Sequence, residues 1–238
     1  MIPSKPDIKL IRSLAKRKSR EENGLFVVEG EKLVQEAVDS GWEIIKLFTI
    51  KEIGEEMMSR ITLLSSPSPA LAIVKIKERE PFELPSEESL CLALDSVKDP
   101  GNLGTIVRLA EWFGVDAIYC SEDCVDIFNP KCVQSTMGAI FRTKMIYTNL
   151  PDLIRTASAV TTVFGTFMEG DNIYTQKLPS GGLIVMGSES NGISKDVAKL
   201  IEKRITIPSF RKGTRGSESL NVAIATAVIC SEFRRFSV

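Results

Sequence analysis

Beyond residue 89 the chain alternates short apolar runs with helical segments, the runs falling at residues 90–94, 117–120, 159–164, 183–186 and 204–207. Runs this apolar leave no face for water, and buried strands separated by helices build a mainly parallel sheet covered on both sides. The expected fold class is therefore α/β. In an open sheet of this kind ligands sit beyond the carboxyl ends of the strands. Attention falls on whatever polar residues follow those runs.

Three glycine-rich stretches do so. The first reads Pro100-Gly101-Asn102-Leu103-Gly104-Thr105-Ile106-Val107-Arg108-Leu109-Ala110, the second Gly187-Ser188-Glu189-Ser190-Asn191-Gly192, and the third joins Ile207-Pro208 to Ser219-Leu220-Asn221-Val222-Ala223. In the first, Leu103, Ile106, Val107, Ala110 and Phe113 form one apolar helical stripe, and Gly114 suits the position just past the helix end. Asn102 stands where its side chain could cap that helix. Arg108 lies off the stripe, one and a half turns in, where a guanidinium can meet a phosphate or a developing alkoxide.

The second stretch has the outline of a phosphate loop but not its chemistry. Ile193 stands where such a loop needs lysine, and Glu189 would put a negative charge among the phosphates. A dinucleotide fingerprint is also missing. In the third, a long helix from Ser219-Leu220-Asn221 to Phe233 is apolar on nearly every side, so a core or a subunit contact should cover it. Asn221 then reads as a buried amide that needs partners.

Composition narrows the chemistry further. The chain has 238 residues, 43% of them apolar, a formal charge of −1 and no histidine, which removes Ser-His-Asp, Cys-His and histidine-zinc mechanisms. Its five cysteines form no Cys-x-x-Cys pair, so buried free thiols are expected and no metal site is. No apolar run approaches the ~20 residues of a membrane helix, and Met1-Ile2-Pro3-Ser4-Lys5-Pro6 has no apolar leader, which predicts a cytoplasmic protein.

The front of the chain has a different character. Residues 7–20 place Ile8, Ile11, Leu14 and Ala15 at helical spacing, with Lys and Arg elsewhere, predicting one basic amphipathic helix. Its face is either merely solvated or a phosphate-contacting patch. Strands over 25–28, 43–50 and 71–76 and helices over 31–40 and 51–60 complete a small α/β unit. The charged segment Lys77–Ser89, interrupted by Pro81 and Pro85, reads as a linker. The expected division is 1–80, a linker over 81–89, and 90–238.

With all three motifs in order, the sequence resembles the SpoU (TrmH-type) family of RNA ribose 2′-O-methyltransferases in the SPOUT superfamily. The stretch from Lys16 to Gly30, Lys-Arg-Lys-Ser-Arg-Glu-Glu-Asn-Gly-Leu-Phe-Val-Val-Glu-Gly, is similar to the family's small substrate-binding domain. The resemblance implies a C-terminal trefoil knot, S-adenosylmethionine held in a bent pose, and a homodimer packed around the cofactor site. It assigns Asn102, Arg108, Glu189, Ser219 and Asn221 to the catalytic machinery, with cofactor contacts at Thr166, Gly187, Ile207 and Leu220. RNA contacts would come from Lys16, Arg17, Lys18, Arg20, Arg211, Lys212 and Arg215.

The implied reaction is methylation of a ribose 2′-hydroxyl. Ribosomal RNA is favoured as substrate by the front domain, with transfer RNA as the alternative. The loop Ser209-Phe210-Arg211-Lys212-Gly213-Thr214 is more basic than in many members, which bears on substrate preference. Two further readings are an RNA-binding protein on this scaffold without catalysis, which the intact Arg108, Glu189 and Asn221 oppose, and a nucleotide-binding enzyme unrelated to methylation.

Overall fold

The computed structural model describes residues 2–77, 82–210 and 219–236. The chain packs into two compact units. One comprises Met1–Arg79 with Asp126–Arg142, the other Glu80–Val125 with Thr143–Val238. The sequence-based division kept 126–142 within the second half, whereas these residues pack with the first.

In the first unit, α1 (Lys5–Ser13) starts at a reciprocal cap. The Ser4 hydroxyl accepts from the Asp7 N–H at 3.3 Å, and the Asp7 carboxylate accepts from the Ser4 N–H at 3.0 Å. The expected single helix over 7–20 is two: α2 (Arg17–Asn23) follows a break at Lys16, whose backbone is extended. Arg20 explains the break. Its guanidinium takes the carbonyls of Leu14 (2.7 Å) and Ala15 (3.0 Å), acceptors that an uninterrupted helix would use internally.

Next come β1 (Leu25–Glu29), α3 (Glu31–Asp39), β2 (Ile44–Thr49), α4 (Ile50–Ile53), α5 (Glu55–Ile61) and β3 (Ala70–Lys75). The helix expected over 51–60 is divided at Gly54, where φ is +78°. The three strands form an antiparallel sheet in the order β1-β3-β2. Ile11, Leu14, Val27, Phe48, Met58, Ile61, Leu71 and Ile73 form a core. Residues 126–142 add Phe128 against Phe26 and Phe141 against Trp42, at ring-centroid distances of 4.7 and 5.4 Å.

The remaining elements are β4 (Leu90–Asp95), α6 (Pro100–Trp112), β5 (Ala117–Cys120), α7 (Pro130–Thr136, in the first unit), β6 (Met145–Tyr147), α8 (Leu150–Ala157), β7 (Val163–Asn172), β8 (Gly182–Gly187), α9 (Lys195–Ala198), β9 (Lys203–Thr206) and α10 (Val222–Arg234). The six strands of the second unit pair in parallel, in the order β6-β5-β4-β8-β7-β9. β4, β5 and β8 are wholly or almost wholly buried, as their apolar runs predict.

Three strands depart from the sequence reading, β9 because only Ile205 of it is buried. β6 is a half-buried edge strand of three residues, too short and mixed to stand out. β7 begins later than expected, because residues up to Thr161 close α8, with the Thr161 N–H on the Ala157 carbonyl at 2.8 Å. It also runs further, since its polar end, Asp171 and Asn172, is held by pairing to β9 rather than by burial. All five cysteines are free and buried, as expected. Among the described residues no helix is long and apolar enough to cross a membrane.

Candidate active site

α6 starts from Asp99, whose carboxylate accepts the Asn102 N–H at 2.8 Å, with Pro100 in the first turn. Asp99 is thus the cap, and the reading of Asn102 as the cap is corrected: its side chain is released from that task. Leu103, Ile106, Val107 and Ala110 are buried as the stripe requires, and Gly114 takes a φ of +60° past the helix end.

The second motif folds on itself. Ser188 and Gly192 exchange backbone hydrogen bonds at 3.1 and 2.9 Å, with φ of +64° at Gly192. A Cβ on Gly187 would lie 2.1 Å from the Gly192 carbonyl carbon, so only glycine fits there. The returning chain is tied to β4 by the Ser194 N–H, which donates to the buried Asp95 carboxylate at 2.7 Å. Sequence reasoning passed over Asp95. Its signal was a lone carboxylate closing an otherwise apolar strand at the ligand edge of the sheet.

The third motif positions α10. The Asn221 side-chain oxygen accepts from the N–H groups of Ala223 (3.0 Å) and Ile224 (3.3 Å), which makes it the N-cap of a helix starting at Val222. Asn221 is exposed, not buried in a helix interior as its apolar surroundings suggested. The expected cover of α10 is a core or a subunit contact; within this chain the core does not cover it all round, since Ile224 is 55% exposed.

These caps orient the amides. With its oxygen committed to α10, the Asn221 amide nitrogen donates to the Asn102 side-chain oxygen at 3.0 Å. The Asn102 nitrogen in turn donates to a Glu189 carboxylate oxygen. One directional chain, Asn221 to Asn102 to Glu189, therefore joins all three motifs. At their other ends, Arg234 of α10 donates to the Phe113 carbonyl after α6, at 2.9 Å, so the two helices run side by side in the same direction.

Arg108 lies six residues beyond Asn102, about 9 Å along α6 and roughly 240° around it. It is exposed and makes no hydrogen bond or ion pair to the described residues. The structure therefore does not join Arg108 to the amide chain.

A cavity of about 920 Å³ opens at the carboxyl ends of β7, β8 and β9. Thr166, Gly187, Ile207 and Leu220 all line it, as do Glu189 and Ser219. A further wall was not legible in the sequence. Thr166 and Asp171 of β7 both face Ile205 of β9, so residues 167–170 bulge out of the sheet. Phe167, Met168 and Glu169 of that bulge line the cavity, together with Arg204, whose guanidinium sits 3.7 Å above the Phe167 ring. The volume falls within the ~300–1,000 Å³ of small-molecule and cofactor sites. Gly187 stands at the wall of this cavity, with the returning chain at Gly192 and Ile193 in the space a side chain would take.

The basic residues of the first unit divide. Lys16, Arg17 and Lys18 are exposed, Arg17 pairing with Glu21 at 2.8 Å. Arg20 is 2% exposed and bound to Asp126, its Nε donating at 2.8 Å. The assignment of Arg20 to RNA contact is therefore corrected: its donors are spent inside the unit. Arg211, Lys212 and Arg215 lie outside the described residues. Among the described residues no group of three or more Cys, Asp or Glu is placed to hold a metal ion.

Comparison with known proteins gives the same outline. Residues 5–79 match the MRM3-like substrate binding domain. A TrmH-family structure from Porphyromonas gingivalis is 35% identical, with a TM-score of 0.82 over 98% of both chains. An AdoMet-bound rRNA methyltransferase from Sinorhizobium meliloti is 31% identical, with a TM-score of 0.86 over 98% of this chain and 96% of that one. The 23S rRNA (guanosine(2553)-2′-O)-methyltransferase RlmP of Bacillus subtilis is 28% identical over 242 residues, 94% of each chain. Residues 89–231, which carry the whole of the amide chain and the cavity, match the SpoU rRNA Methylase family, and the protein belongs to that family.

Proposed function

We propose that this protein is an S-adenosylmethionine-dependent RNA methyltransferase that methylates a ribose 2′-hydroxyl of ribosomal RNA. The observation that carries the reading is the hydrogen-bonded joining of three motifs beside one cavity. Asn102, Glu189 and Asn221 are joined by hydrogen bonds beside a space walled by Thr166, Gly187, Ile207 and Leu220. The similarity to an AdoMet-bound rRNA methyltransferase and to a 23S rRNA 2′-O-methyltransferase supports reading that cavity as the site of cofactor and reaction.

Main-chain groups at Thr166, Gly187, Ile207 and Leu220 would hold the cofactor, which would supply a methyl group already activated on a sulfonium and leave as the neutral thioether. Glu189, oriented by Asn102 and through it by Asn221, fixes the nucleotide site together with Ser219. Arg108 meets the ribose. A guanidinium stays protonated, with a pKa above ~12, so it serves to orient the 2′-hydroxyl and stabilise the alkoxide as the methyl transfers to oxygen. The hydroxyl proton leaves to a substrate phosphate or to water. Holding donor and acceptor in line supplies much of the rate.

Lys16, Arg17 and Lys18, with Arg211, Lys212 and Arg215, contact RNA phosphates. Ile224 on α10 and Trp112 on α6, 55% and 83% exposed, support a second copy packed over this helix pair, in a cytoplasmic homodimer. The strand order β4-β8-β7-β9 and the return of α10 to α6 support a trefoil knot around the cofactor.

The test is transfer from labelled S-adenosylmethionine to unmodified ribosomal and transfer RNA, with methylated nucleosides identified by mass spectrometry and Arg108→Ala run in parallel. A 2′-O-methylnucleoside formed from ribosomal RNA by the parent and largely lost in the variant is expected, with the variant's thermal stability unchanged. Methylation of a base, or of transfer RNA alone, would overturn the assignment.

A further inference from the structure

The mouth of the cavity carries an apolar surface that the reaction does not use. Phe210 is 81% exposed and Met168 is 69% exposed, and both line the cavity. Phe210 lies beside Tyr174, the ring centroids 6.2 Å apart and the planes inclined by 33°. Tyr174 is firmly placed. Its N–H donates to the Asn172 side chain at 3.0 Å, and the preceding Ile173 is buried with its N–H on the Thr206 carbonyl at 3.1 Å. The pair is therefore an aromatic ledge braced by the ends of β7 and β9, with Phe210 its more exposed member.

From this we infer that Phe210 and Tyr174 form a stacking platform for an RNA base next to the methylated nucleotide. The inference rests on the RNA methyltransferase reading above. Aromatic faces stack bases of any identity, and single-stranded RNA is commonly held this way. Two observations favour a polynucleotide as the occupant. A small ligand is held with ~70–90% of its surface buried, which a ring as open as Phe210 cannot provide, whereas a polymer can lie across it. Charge also fits: Arg204 is on the same cavity wall, and the sequence continues from Phe210 directly into Arg211 and Lys212. A base on the ledge would fix the strand's register relative to Glu189 and Arg108, so the platform acts on RNA binding and not on the chemical step.

The experiment compares the wild type with Phe210→Ala and Phe210→Trp. It measures KM for unmodified ribosomal RNA, calorimetric affinity for S-adenosylmethionine, mass in solution, and ultraviolet cross-linking of RNA to the tryptic peptide 205–211. Phe210→Ala should raise KM for RNA about 5- to 150-fold, with cofactor affinity and mass unchanged and the cross-link abolished. Phe210→Trp should restore both KM and cross-link. An unchanged RNA KM in Phe210→Ala overturns the platform. Weakened cofactor binding alone assigns Phe210 to the cofactor, and a change of mass assigns it to self-association. Wild-type protein that cross-links RNA through this peptide yet transfers no methyl group would sink the reaction while leaving the platform standing.

Discussion

Asn221 performs two tasks that substitution can separate. Its oxygen caps α10, and its nitrogen sets the orientation of Asn102 and hence of Glu189. Asn221→Ala removes both. Loss of an N-cap costs typically ~1 kcal/mol, which for a protein of this size lowers Tm by about 2–4 °C. Asn221→Asp keeps the cap, because aspartate accepts the same N–H groups and its charge suits a helix N-terminus. It cannot donate, however, and Asn102 then lies between two carboxylates with only one N–H edge. Whichever way its amide turns, its oxygen faces an acceptor. The bond lost joins two neutral amides and contributes about 0.5–1.5 kcal/mol, and with a carboxylate now facing the Asn102 oxygen the loss is taken at the upper end, roughly 1.4 kcal/mol, a factor of ten. Asn221→Asp should therefore hold its Tm and lose about tenfold in kcat/KM for ribosomal RNA, read from methyl transfer and thermal scans on one preparation. Wild-type kcat/KM in Asn221→Asp would refute the orienting role, and an unchanged Tm in Asn221→Ala would refute the cap.

The basic residues near the front of the chain should respond in opposite ways. Arg20→Ala strands Asp126 without its buried partner and should cost about 3–5 kcal/mol in chemical denaturation. Ala at Lys16, Arg17 or Lys18 should leave stability nearly unchanged and lower the slope of log affinity for RNA against log salt by about 0.7–0.9 for each phosphate no longer neutralised; the reverse pattern would mean the two roles are misassigned. A further expectation concerns pH. Burial raises the Glu29 carboxyl above its ordinary 4.5, partly offset by hydrogen bonds from Thr62, the Leu63 N–H and Ser68. The folded state then holds this proton more tightly than the unfolded chain does, so Glu29 lowers stability as pH rises from 4.5 through the raised value. Glu29→Gln should flatten that decline in thermal scans across pH, and a parallel decline in both proteins would remove Glu29 as its source.

Much of the molecule was legible in the sequence, for reasons that differ by element. The α6 stripe and the buried strands β4, β5 and β8 follow from local period and apolarity, and the structure buries those residues. The glycine at 187 was visible as part of a motif, but the need for it was not, since that need comes from the chain returning at Gly192 and Ile193. β6 was missed because an edge strand with half-buried residues carries no clean pattern. The second half of β7 was missed because Asp171 and Asn172 are held by pairing to β9, beyond a bulge over residues 167–170, and not by burial.

The larger misreadings concern side chains that could serve locally or at long range. Asn102 has the chemistry of a cap, but Asp99, three residues earlier, takes that role and frees the amide to reach Glu189, 87 residues away. Arg20 belongs by composition to a basic surface, yet it is drawn inward by Asp126, 106 residues away. Fold class, the three motifs and through them the family could be read from the amino acids alone, because apolar period and short glycine-bearing turns are local and follow from backbone sterics and burial. Which of several equivalent polar groups found which partner, where residues 126–142 packed, and that a bulge in β7 walls the cavity emerged with the folded chain. Those outcomes depend on contacts between residues far apart in the chain, and their energies exist only once the strands have been brought side by side.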